Sequence, residues 1–199
     1  MKKQAILFCA LLAALSILAA CSSTPDVNYG DPTAVETVTI GFGSTDLQSI
    51  AEKMTQSLLA SGVLGNGQKP VLYVAQVKNR TDEQLDTKNI TDKISTALVR
   101  SSRVRLSAAM ESNSEIVSQL EHQNMSGLTS PETAKRYGKQ VGADYFLCGE
   151  ITSIRKQAGR VEDVYFKFTL KLVNIESGLI DWMDEKEIRK GAKKPVFGM

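Results

Sequence analysis

The run Val164 to Val173 limits the fold more than any other stretch. Phe166, Phe168, Leu170 and Leu172 alternate there with Lys167, Thr169 and Lys171. Successive side chains of a strand point to opposite faces. A period of two therefore puts the large apolar groups on one side and the polar groups on the other. Such a strand needs a core on one face and meets water on the other. An all-helical fold is excluded. Two more strand-like runs flank it, Tyr145 to Ile154 and Leu179 to Ile188. Turns at Ala158-Gly159-Arg160 and Glu176-Ser177-Gly178 separate them. The three read as an antiparallel meander.

Upstream, the period changes to that of a helix. Ser44 reads as an N-cap, with Asp46 in the first turn to favour the helix dipole. Leu47, Ile50, Ala51, Met54 and Leu58 then share one face, and Gly62, Gly65 and Gly67 end the helix. Val71 to Val77 reads as a central strand, followed by a polar turn from Lys78 to Asp82. Thr91 is expected to cap a second helix, with Ile94, Ala97 and Leu98 inside. Ser101-Ser102 breaks it, and Val104 and Leu106 suggest a short strand. Ile116, Val117 and Leu120 mark a third helix. Ser130-Pro131-Glu132 opens a fourth, with proline at its first position. The expected fold is one α+β domain over residues 38–190, a mixed four- to five-stranded sheet packed by about four helices. Residues 191–199 read as a loose tail.

The first twenty residues are of a different kind. Lys2 and Lys3 precede an uncharged apolar run, Ala5 to Ala20, too short to span a bilayer comfortably. That pattern is a secretory signal. Its end, Leu18-Ala19-Ala20-Cys21, resembles the lipobox of bacterial lipoproteins. The resemblance implies cleavage between Ala20 and Cys21 and a diacylglycerol on the Cys21 thiol. Two or more acyl chains anchor a protein stably where one does not. Ser22 resembles the residue that lets such lipoproteins reach the outer membrane. Residues 21–37, punctuated by Pro25, Gly30 and Pro32, read as a tether. Cys9 leaves with the signal and Cys21 is acylated, so Cys148 has no partner within one mature chain.

The chemistry expected of an enzyme is sparse. The chain has 24 Lys+Arg against 22 Asp+Glu. Losing Lys2 and Lys3 brings the mature side chains into balance, which argues against a broad nucleic-acid surface. His122 is the single histidine and sits among polar neighbours. With one lone Cys148 it cannot build a zinc site of the usual kind. Gly41-Phe42-Gly43 lacks phosphate-loop spacing. Asp144 and Glu150, six residues apart in an expected strand, stand roughly 20 Å apart, too wide for an acid/base pair. Lys193-Lys194 is weak evidence for an acidic partner. No catalytic residue, metal, cofactor or small-molecule substrate is expected. Recognition is expected at the Lys78 to Asp82 turn, through Lys78, Asn79, Arg80 and Asp82, helped by Arg100 and Arg103. Loops on a rigid scaffold commonly carry binding.

Several segments together carry a family likeness. They are Phe42-Gly43-Ser44-Thr45-Asp46-Leu47, Val77-Lys78-Asn79-Arg80-Thr81, Asp86-Thr87-Lys88-Asn89-Ile90-Thr91-Asp92, Ala143-Asp144-Tyr145 leading to Gly149-Glu150-Ile151, and Leu172-Val173-Asn174-Ile175-Glu176-Ser177-Gly178 before Trp182. In that order they resemble the LpoB family, lipoprotein activators of class A penicillin-binding proteins. The resemblance implies a domain related to the N-terminal domain of TolB, an outer-membrane anchor, and a synthase as partner whose peptidoglycan synthesis is stimulated. The wider group includes CsgG-type secretion lipoproteins, so an accessory role in envelope secretion is the alternative. Some family members have a long Pro-rich tether. Here about 16 residues follow Cys21, at most about 55 Å when fully extended.

Overall fold

The structure is a computed structural model describing residues 29–65, 67–107, 110–128, 130, 132 and 142–195. The expected signal, Cys21, and the helix expected from Ser130-Pro131 onward lie largely or wholly outside the described residues. Two units are distinguished, residues 1–34 and residues 35–199. In the first, Asp31 Oδ1 accepts bonds from the Thr33 N–H and hydroxyl, closing a small turn.

The elements of the second unit are α1 (Ser44–Ala60), β1 (Val71–Val74), β2 (Lys78–Arg80), α2 (Thr87–Arg100), β3 (Arg105–Leu106), α3 (Met110–Met125), β4 (Tyr145–Ala158), β5 (Val161–Asn174) and β6 (Ile180–Lys193). The sheet runs β3-β1-β4-β5-β6, with β2 also on β4. β1 pairs in parallel with β3 and β4. β4, β5 and β6 form the antiparallel meander that the alternation requires. The fold is α+β and mixed, as expected.

Among the described residues the sheet has six strands rather than four or five. The added one is β2, in the stretch expected to be a turn. Its three side chains are exposed, so no apolar pattern announces it. Its backbone pairs Lys78–Arg80 with Glu150–Thr152 of β4, beyond the residues that β1 occupies. The strand expected through Val77 breaks between the two. Val77 is buried and gives its N–H to Thr91 Oγ1 at 3.1 Å. That bond explains a second correction. Thr91 is not a cap but sits one turn inside α2. The cap is Asp86, whose Oδ1 accepts from the Lys88 N–H at 3.0 Å. Likewise the cap of α1 is Gly43, one residue before Ser44, and Asp46 Oδ2 reaches back to accept the Gly43 N–H at 2.8 Å.

The core lies between one sheet face and helices α1 and α2. Ile50, Met54 and Leu58 from α1 and Ile90, Ile94 and Leu98 from α2 meet Leu72, Leu147, Ile151, Phe166, Phe168 and Leu172. Gly149 sits beneath this face because nothing larger fits. A Cβ there would stand 2.8 Å from the Thr169 carbonyl oxygen and 2.9 Å from Leu170 Cδ1. On the opposite face of β5, Tyr165, Lys167 and Lys171 are half-buried. Cross-strand pairs organise that face: the Tyr165 hydroxyl with Glu187, Lys167 with Glu185 and Arg189 with Asp163.

β6 continues to Lys193, paired with Val161, so residues 191–193 belong to the sheet and not to a loose tail. The main-chain ladder holds them although Gly191, Ala192 and Lys193 bury nothing, and the Lys194 N–H still reaches the Arg160 carbonyl at 2.9 Å. Residues 196–199 lie outside the described part.

Candidate functional site

The Lys78 to Asp82 segment stands at the sheet end where α1 and α2 begin. Its shape is set locally. Asn79 Oδ1 accepts from the Thr81 N–H at 2.9 Å and from its hydroxyl at 2.7 Å. The Asn79 amide donates to the Glu83 carbonyl at 2.8 Å. These are the short side-chain-to-backbone bonds by which Asn and Thr hold turns. Asn79 is thus spent on the turn, whereas the Lys78 and Arg80 side chains are exposed. Because β2 pairs in register with Glu150 and Thr152, Lys78 and Arg80 lie on the open face of the sheet.

Asp82 has a different role from the one expected. Its Oδ1 accepts from the Ser153 hydroxyl at 2.6 Å, and its Oδ2 accepts from Arg155 Nε at 2.8 Å. Those bonds hold the Asp82 carboxyl below the usual carboxylate range, with the Ser153 hydroxyl contributing most. Arg155 also pairs with Glu83 and, through Nη1, with Glu162 Oε1 at 2.9 Å. All three guanidinium nitrogens are therefore engaged, by carboxylates from the turn and from β5. Sequence reading missed Arg155, Glu83 and Glu162. The expected strand ended at Ile154, and nothing near position 155 marks a residue bonded 72 and 73 positions away.

The structure does not bring Arg100 and Arg103 to this turn. Arg100 ends α2, whose 14 residues rise roughly 20 Å at 1.5 Å each. Arg103 lies past that end and donates Nη2 to the Gly65 carbonyl at 3.1 Å. The expected cluster is two clusters at opposite ends of a helix.

The same sheet end receives the chain from its N-terminal side. Glu36 Oε2 accepts the Ser44 N–H at 2.7 Å, which holds its carboxyl below the ordinary range. Phe42 packs edge-on against Phe166, with ring centroids 5.8 Å apart, and gives its N–H to Glu83 Oε2 at 2.9 Å. Lys190 Nζ lies 2.5 Å from Asp46, itself 4% exposed, and 2.7 Å from the Gly41 carbonyl. Asp144, for its part, precedes β4 and takes the Val71 N–H at 2.7 Å at the start of β1, remote from Glu150. Among the described residues no group of three or more His, Cys, Asp or Glu could hold a metal ion, and no helix is long and apolar enough to cross a membrane.

The paired carboxylates make a small part of the stability acid-sensitive, since exposed pairs each contribute little. Asp82, Asp163, Asp184 and Glu36 all have folded values below their ordinary ones, through Ser153, Arg189, Ser57 and Ser44 respectively. A depressed value adds stability above the unfolded value, which is lost as pH falls through the folded one. The urea midpoint, followed by circular dichroism, is expected to stay level from about pH 8 to pH 5 and to fall below about pH 4. A steady slope between pH 5 and 8 would contradict it.

The model of the family described as peptidoglycan-synthase activator LpoB matches residues 46–188. No curated protein matches the chain. Among solved structures, the chain is similar to the C-terminal domain of LpoB from Escherichia coli, at 20% identity over 72% of this chain and 98% of that one, with a TM-score of 0.44. The solution structure of E. coli LpoB matches at 19% identity, covering 88% and 84%, with a TM-score of 0.42. Lipoprotein GNA1162 from Neisseria meningitidis matches at 18%, covering 62% and 84%, with a TM-score of 0.39.

Proposed function

This chain belongs to the LpoB family of peptidoglycan-synthase activators, and from that membership we infer its function. We propose that it is a lipoprotein anchored through Cys21 in the outer membrane and facing the periplasm. There it binds a class A penicillin-binding protein and stimulates peptidoglycan synthesis. Turnover belongs to the partner. This chain takes no cofactor, small-molecule substrate or nucleic acid.

The observation that carries this reading is the extent of the family match, residues 46–188, which takes in α1, the β2 turn, α2 and most of the meander. Leu18-Ala19-Ala20-Cys21 and the following Ser22 support the anchor. The Lys78 to Asp82 turn supports a contact surface, since its backbone is pinned while Lys78 and Arg80 stay exposed. Arg103 and Arg100, at the far end of α2, form a second and separate contact.

An activator must bind one state of its partner better than another, because equal affinity shifts no equilibrium. A tenfold gain in rate asks for about 1.4 kcal/mol of differential binding, within reach of a single interface. The test combines residues 35–199 with a purified class A synthase and lipid-linked precursor. Glycan polymerisation is expected to rise on the order of tenfold, and Arg80→Glu to blunt that rise. No binding and an unchanged rate would remove the activator reading. Peptidoglycan hydrolysis by the domain alone, lost in His122→Ala, would make it an enzyme instead.

A further inference from the structure

Three carboxylates, Asp82, Glu83 and Glu162, converge on one guanidinium at the sheet end that presents Lys78 and Arg80. Their elements are far apart in the chain. Asp82 and Glu83 close the turn after β2. Arg155 and Glu162 lie on β4 and β5 where the hairpin runs beyond β2, whose pairing stops at Thr152. Glu83 extends the cluster further, because its other oxygen accepts the Phe42 N–H as the chain enters the domain. One arginine thus joins the turn, the rigid hairpin and the entering segment.

We propose that Arg155 is a positioning residue for partner binding, holding the Lys78 to Asp82 turn in its binding shape and tying it to the segment that leads from the membrane anchor. The proposal rests on the reading that this turn faces the synthase. A planar guanidinium suits the task, since its fixed fork meets several carboxylates at set angles where an ammonium acts as a point charge. Without it, Asp82, Glu83 and Glu162 repel one another across a short gap. The bonds within the turn survive, because Asn79 and Thr81 make them. What is lost is the turn's fixed placement on the hairpin, and with it the direction of Arg80. Exposed ion pairs add little to global stability, so the expected loss is local order. Glu83 makes the link to the entering segment specific, with one oxygen on Arg155 and the other on the Phe42 backbone.

A double-mutant cycle on the full chain in detergent, titrated with a purified class A synthase, tests this. Arg80→Ala and Arg155→Ala are each expected to weaken Kd about tenfold, and the double variant to be no weaker than Arg155→Ala alone, because a turn already released gains nothing from Arg80. Amide exchange in residues 78–86 is expected to quicken in Arg155→Ala while the urea midpoint holds. Arg155→Lys, which keeps charge but not the fork, is expected to recover only part of the affinity, and it replaces the alanine variant in the cycle if that variant fails to fold. Additive losses near a hundredfold would mean that Arg155 touches the partner itself, and would overturn the proposal. So would a fallen midpoint with unchanged exchange at the turn. If Arg80→Ala weakens binding and Arg155→Ala does not, the positioning role fails while the surface reading stands. If Arg80→Ala has no effect in the parent chain, the surface reading fails and takes this proposal with it.

Discussion

Phe168→Ala is expected to cost about 3–5 kcal/mol, the usual range for deleting a buried phenyl ring and leaving its space behind. Phe168 is fully buried in the middle of β5, opposite Ile151 on β4 and Lys186 on β6. Domains of this size are stable by only about 5–15 kcal/mol, so one truncation removes a large share. At about 2–4 °C per kcal/mol, the melting temperature should drop on the order of 10 °C. The control lies three residues on. Lys171 belongs to the same strand but the other face, and Lys171→Ala should stay within about 0.5 kcal/mol. Chemical denaturation of both variants measures the difference. Equal effects would mean that the core is not on the Phe166-Phe168-Leu170-Leu172 side.

The second large effect concerns the proposed anchor. Cys21→Ser keeps size and hydrogen bonding but removes the thiol on which the proposed lipidation depends. The variant is expected to leave the outer-membrane fraction almost entirely and to lack the added lipid mass. Anchoring that depends on two or more acyl chains has no partial substitute in a hydroxyl. Activation in cells should vanish with it, whereas residues 35–199 should still stimulate the synthase in solution. Ser22→Asp is the finer probe and should retain the lipidated protein at the inner membrane. An outer-membrane location for Cys21→Ser would sink the lipoprotein reading.

The elements legible in the sequence are those fixed by short-range pattern. The clean alternation in β5, the Leu47 to Leu58 stripe of α1 and the turns at Gly159 and Gly178 each carry their signal within about a dozen residues. Both of those glycines adopt positive φ, 58° and 72°, as tight turns demand. The caps, Gly43 and Asp86, differ from the expected Ser44 and Thr91 for a physical reason. Several hydroxyl and carboxyl residues near a helix start can accept the same N–H groups, and tertiary bonds choose among them. Val77 claimed Thr91, leaving the cap to Asp86.

The candidate site was legible only in part. The exposed Lys78 and Arg80 follow from a polar stretch between two elements. That the stretch is a strand does not, because its only support is the backbone of β4, some 72 residues away. Grouping Arg100 and Arg103 with the turn failed because nearness in sequence says nothing about the length of the helix between them. Its polar turn marks Asp82 as a contact residue, but in the fold its oxygens serve Ser153 and Arg155.

Local periodicity and ordered motifs, which need no third dimension, carry the α+β class, the antiparallel meander, the apolar face of α1 and the family likeness. Which charges stay exposed and which are spent is settled by tertiary contacts. Arg155, Asp82, Glu83 and Glu162 are ordinary surface residues in one dimension. Their joining depends on a parallel strand pair and a long hairpin that bring distant carboxylates around one guanidinium, and no local pattern encodes that meeting.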